Sequence, residues 1–210
     1  MNVKLLTIAV LTATITMSCG NGNQVEEPKP ETTEIAEATS PTYTIDAEHS
    51  SLVWRGEVAG VYGHDGVANV KGGTISVADG AITGGEITID MSTIAATDSA
   101  SYKDEDGHRI SNLEGHLTTS EFFSTEKFPT ATFVVTNVDG STITGDLTVR
   151  GKTNSEKFNV ESTEILDESV TVSGKLKFDR QKYDVAWVHY MKDMVLSNDI
   201  SLTISVTATK

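Results

Sequence analysis

The chain has 210 residues and a formal net charge of −14, from 30 acidic against 16 basic side chains. A field of that sign disfavours nucleic acid and anionic lipid surfaces as partners. A single cysteine excludes any intramolecular disulfide, and the length suffices for one domain with a sizeable core plus short extras.

Residues 1–19, MNVKLLTIAVLTATITMSC, place Lys4 ahead of an apolar run and small residues ahead of Cys19. This is the layout of a secretory signal, too short and too Thr-rich for a spanning helix. Ser18 suits the residue before a lipoprotein cleavage site, whereas Thr16 stands where Leu or Val is usual. The expectation is cleavage and acylation at Cys19, making a periplasm-facing or outer-membrane lipoprotein of a bacterial cell envelope. Each acyl CH₂ buried in the bilayer contributes roughly 0.8 kcal/mol to such an anchor. Residues 20–41 are poor in apolar side chains and rich in glutamate, which predicts a disordered tether spanning roughly 25 Å.

From Thr42 to Lys210 the texture is β. Ala81–Met91 puts Ile87, Ile89 and Met91 on one face, and Ser141–Val149 does the same with Ile143, Leu147 and Val149. Ser169–Phe178 aligns Val170, Val172, Leu176 and Phe178, and Ser201–Ala208 aligns Leu202, Ile204, Val206 and Ala208. Period-2 segments separated by Asp79-Gly80 and Asp139-Gly140 predict antiparallel hairpins. Glycines within strands (Gly72, Gly73, Gly84, Gly85, Gly145) suggest bends where a sheet coils on itself. No helical pattern is long enough for a crossover, so a parallel α/β fold is not expected. The expectation is an all-β fold, an antiparallel barrel of about eight strands. Sparse aromatics without girdles favour an apolar interior over a transmembrane barrel.

The alternation breaks between Gly115 and Phe133, GHLTTSEFFSTEKFPTATF. Ser111 with Glu114, and Thr118 with Glu121, fit the S/T-x-x-E helix start. A short helical cap over residues 111–124 is predicted, carrying Phe122 and Phe123. Phe128 before Pro129 is pushed to an extended conformation, launching a strand near Thr130.

Five segments in order resemble the YceI-like family of lipid- and polyisoprenoid-binding β-barrel proteins: YTIDAEHSSLVWRG at 43–56, GEITIDMSTI at 85–94, the cap stretch, GDLTVRGKT at 145–153 and FDRQKYDV at 178–185. The resemblance covers about residues 42–210 and implies a lipocalin-like barrel that binds a long apolar chain. It also implies that His116 and the aromatics after it lie near the barrel mouth. Many family members carry Arg-Ser-Asp-Phe-Gly where this chain has Arg180 followed by Gln181, Lys182 and Tyr183.

The expected lumen lining is Val53, Ile89, Phe122, Phe123, Phe133, Val135 and Trp187, with His116 and Arg180 as candidate polar contacts. Arg180 either pairs with a carboxylate across the barrel or meets a polar ligand head. The histidines His49, His64, His108, His116 and His189 lack helical i, i+4 or strand i, i+2 spacing, so no metal site or cofactor is expected. His64, beside Asp65 in the glycine-flanked YGHDG, reads as a structural or surface histidine. No nucleophile elbow, phosphate loop or zinc motif is present, which favours a binder over an enzyme. The negative charge argues against a diphosphate head unless Arg109, Lys152, Arg180 and Lys182 gather at the mouth. A polyisoprenoid, isoprenoid quinone or fatty amide is the expected ligand, and a homodimer is compatible with this reading. Two other readings stay open: an interaction module with a side-chain-filled barrel, and an enzyme built from His116, Glu114 and Arg180 under a lid.

Overall fold

Alternating apolar residues become alternating inward side chains in the computed structural model, which describes residues 41–58, 61–99, 102, 103, 105, 109–187 and 195–210. The expected signal with Cys19, the tether up to residue 40, and His108 and His189 lie outside them. The strands are β1 (Thr42–Val58), β2 (Tyr62–Ala78), β3 (Ala81–Ala96), β4 (Thr130–Asp139), β5 (Thr142–Val149), β6 (Lys152–Ile165), β7 (Ser169–Asp179) and β8 (Leu196–Thr209). Each pairs antiparallel with the next, and β8 returns to β1, closing an eight-stranded barrel. A helix, α1 (Ile110–Thr118), enters between β3 and β4. A 3₁₀ turn, Arg180–Tyr183, follows β7.

Local chemistry explains the connections. Asp79 and Gly80 both adopt positive φ, 52° and 74°, as the tightest hairpin turns require. Gly72 and Gly73, at φ 145° and 142°, sit at a register shift against β3, a bend that few other residues tolerate. Other strand glycines make room for rings. A side chain on Gly66 would collide with the Trp54 indole, one on Gly145 with the Phe133 ring, and one on Gly174 with the Phe158 ring. These large aromatics turn inward because the neighbouring strand has no Cβ to stop them.

The cap starts differently from the S/T-x-x-E expectation. Arg109 caps α1, its backbone N–H donating to Asn112 Oδ1 at 3.1 Å, while Ser111 lies within the first turn. Glu114 is spent elsewhere, accepting from the Ala96 backbone N–H at the end of β3. Thr118 ends the helix rather than starting a second one. The chain then folds back in turns, with Phe122 N–H donating to Thr119 O and Phe123 N–H to Leu117 O, both at 3.1 Å. Those bonds tuck both phenylalanine rings beneath α1, where they are buried. Strand β4 begins at Thr130, directly after Pro129.

Candidate functional site: a capped apolar lumen

Inward residues from all eight strands do not fill the barrel. They enclose a cavity of about 280 Å³ whose wall includes Leu52, Trp54, Ala68, Ile75, Ile89, Ile94, Ala131, Phe133, Val135, Ile143, Leu147, Phe158, Leu176, Phe178, Ile204 and Val206. An apolar cavity of roughly 150 Å³ already stays dry and accepts a benzene-sized guest, so this lumen has room for a longer hydrocarbon. The cap closes one end: Leu113, His116, Leu117, Phe122, Phe123 and Trp187 all contribute to the wall. The His116 ring stands edge-on to Phe122 and Trp187, with centroids 5.4 Å and 4.7 Å away. Its Nε2 is buried and has no hydrogen-bond partner among the described residues. Burial pushes the imidazole below its ordinary pKa, against a weaker upward pull from Glu121.

Of the expected lining, Ile89, His116, Phe122, Phe123, Phe133, Val135 and Trp187 do lie on this wall. Val53 does not. It is 39% exposed on the outer face, while its neighbours Leu52 and Trp54 are buried. Strand parity decides this: Val53 is apolar enough for the lumen but sits one residue out of phase.

Arg180 also departs from both sequence-based expectations. It is 2% exposed and absent from the cavity wall. Among the described residues its guanidinium pairs with no carboxylate, and it does not reach the lumen. It donates to the carbonyls of Val185 (2.5 Å), Ser197 (2.9 Å) and Leu196 (3.5 Å). Burial lowers its pKa, opposed by the nearby Asp179 charge. Arg180 therefore ties the segment that delivers Trp187 to the start of β8. Arg150 has a matching role, donating to Ser120 O at 2.6 Å and to Asp184 O, so it binds the cap turns to the chain after the 3₁₀ turn.

Lys152 and Lys182 do not line the cavity either. Lys152 pairs with Asp184 at 3.1 Å and Lys182 with Glu156 at 3.6 Å. Among the described residues no lysine or arginine lines the cavity; its charged members are Glu57 and Glu86. Nor do the three residues of the enzyme reading converge. Glu114 holds Ala96, Arg180 holds backbone carbonyls, and His116 sits among aromatic rings. Among the described residues no group of three or more His, Cys, Asp or Glu side chains is arranged to hold a metal.

One polar feature of the wall escaped the sequence reading. Tyr62 and His64, at the start of β2, both line the cavity. His64 turns away from its neighbour Asp65, which pairs with Arg55 at 2.7 Å. Its Nδ1 lies instead 2.9 Å from Asp98 Oδ2 and 2.8 Å from the Tyr102 hydroxyl. The His64 ring stacks on Tyr102 at 5.2 Å and meets Tyr62 edge-on at 5.1 Å. Burial, with Asp98, Tyr62 and Glu114 adding negative charge, raises the Tyr102 phenol well above its usual pKa. The glycine-flanked YGHDG gave only a turn signal; the partners arrive from more than thirty residues away in sequence.

A family model described as a YceI-like domain matches residues 43–208. A UPF0312 protein of Staphylococcus aureus is 34% identical over 156 residues, covering 68% of this chain and 81% of that protein. Among solved structures, Burkholderia cenocepacia BcnA superposes with a TM-score of 0.58 at 17% identity, over 79% of this chain and 99% of BcnA. A polyisoprenoid-binding domain from Saccharophagus degradans, implicated in plant cell wall breakdown, gives 0.57 at 16% identity, over 80% of this chain and 97% of that domain. The two structures share the fold, and the family match spans the whole barrel: the chain belongs to the YceI-like family.

Proposed function

We propose that this protein binds a long-chain apolar lipid in the barrel lumen and sequesters or carries it within the bacterial cell envelope. The observation that carries the reading is the cavity of about 280 Å³ inside a closed barrel, with an almost wholly apolar wall. A hydrocarbon chain burying roughly 400 Å² there gains on the order of 10 kcal/mol before ordering costs. A polyisoprenoid, an isoprenoid quinone or a fatty amide has the required tail. The capped end, with Phe122, Phe123 and Trp187, is the point of entry, and the Cys19 anchor would hold the carrier at a membrane. The name of the Saccharophagus degradans neighbour, a polyisoprenoid-binding domain, supports the same class.

Mass spectrometry of an organic extract from the protein, purified from envelope-producing cells, tests this. A stoichiometric prenyl or fatty species is the expected result. A clean extract, with no uptake of added quinone or polyprenol, rejects the carrier reading in favour of an interaction module.

A further inference from the structure

We propose that His64 reads the head of the bound lipid and selects an uncharged head that donates a hydrogen bond, such as an alcohol, phenol or amide. This rests on the lumen being the lipid site and adds the class of head it accepts.

The wall is apolar almost throughout, so the few polar groups on it determine which way round a chain lies. Among the described residues two imidazoles reach the wall. The Nε2 of His116 is shut in against Phe122 and Trp187, out of a ligand's reach. His64 is arranged differently. Asp98 Oδ2 and the Tyr102 hydroxyl both occupy its Nδ1 side, at 2.9 Å and 2.8 Å, and Tyr102 stacks on the ring to fix its plane. A carboxylate beside Nδ1 places the proton of a neutral imidazole on that nitrogen, which leaves Nε2 as an acceptor. Nε2 has no partner among the described residues, and the His64 side chain is 23% exposed on the cavity wall. Stapling the segment around Asp98 and Tyr102 to β2 uses Nδ1 alone and gives no role to Nε2.

The surrounding charge narrows the class. Asp98 lies behind the ring, Glu57 lines the same cavity, and no described lysine or arginine does. An anionic diphosphate placed there meets Asp98 and finds no uncommitted cation, because the nearby Arg55 is already paired with Glu57 and Asp65, each at 2.7 Å. A neutral O–H or N–H donor meets in Nε2 an acceptor whose ring is already oriented by Asp98 and Tyr102.

The test uses three probes with one tail: farnesol, the hydrocarbon farnesene, and farnesyl diphosphate. Trp54 and Trp187 line the cavity, so their fluorescence reports binding to the purified full-length chain. Farnesol is expected to bind most tightly, and His64→Phe to weaken farnesol about tenfold relative to farnesene. Without any substitution, the ¹⁵N resonance of His64 Nε2 is expected to shift on adding farnesol and not on adding farnesene. An unchanged farnesol-to-farnesene ratio in His64→Phe, a stationary Nε2 resonance, or tightest binding of farnesyl diphosphate each overturns the inference while leaving the lipid site intact. Failure of both farnesol and farnesene to bind the unmodified chain overturns the lipid reading and this inference together.

Discussion

Arg180 brings a guanidinium to 2% exposure and spends it on three backbone carbonyls. Charge-assisted bonds of this kind are stronger than neutral ones, and losing the donor leaves buried acceptors unpaired. Arg180→Met is therefore expected to cost about 3 kcal/mol in denaturant unfolding and to loosen Trp187, whose fluorescence should shift towards that of an exposed indole. A ligand-contacting arginine would instead leave stability intact and alter only binding. His116 gives a second prediction at this scale. Its pKa is lowered from 6.5 by burial, so the folded state holds fewer protons than the unfolded chain between the depressed value and 6.5. Stability contributed by the neutral ring is present above about pH 6.5 and is lost as pH falls through the folded-state pKa. His116→Phe should flatten that acid limb in a series of thermal melts across pH.

At the scale of elements, the strands and the rings they carry are inseparable. Trp54 lies over Gly66 on the facing strand, where an added Cβ would come within 2.2 Å of the indole and 2.1 Å of the Ala95 carbonyl. Gly66→Ala is expected to destabilise the barrel by about 1–3 kcal/mol, measured by urea unfolding, and to alter the Trp54 near-ultraviolet signal. The cap follows the same logic from the other side. Phe122 and Phe123 are at once buried core and cavity wall, so stability and loading are coupled there. Phe122→Ala should cost about 3–5 kcal/mol and weaken probe binding.

At the scale of the whole molecule, the lumen separates binding from folding more cleanly. Ala131 is a small buried residue on the wall contributed by β4. Ala131→Trp, facing open space, is expected to abolish uptake of a long-chain probe while circular dichroism and cooperative unfolding persist. Conversely, a lipid present at a hundredfold excess over its dissociation constant should stabilise the native chain by about 2.7 kcal/mol, read as a raised melting temperature that Ala131→Trp fails to show.

Much of this architecture was legible in the chain because strand alternation is local. Ile143, Leu147 and Val149, or Val170, Val172, Leu176 and Phe178, declare their buried face by parity, and the turn pair Asp79-Gly80 declares a hairpin end by its backbone needs. The short cap was legible for the same reason, as a break in that alternation ahead of Phe122 and Phe123. What parity alone did not settle was the phase of a strand with apolar residues on both faces. Leu52, Val53 and Trp54 run together in sequence, and only the pairing of β1 with β2 and β8 sends Val53 outward. Side-chain partners were hidden altogether. Arg180 finds carbonyls on β8, and His64 finds Asp98 and Tyr102 from beyond β3, through contacts that exist only once β7 has paired with β8 and β2 with β3. Whether the barrel encloses space or fills it was likewise decided in three dimensions, because an empty volume is a sum over inward side chains of eight strands and no single segment records it.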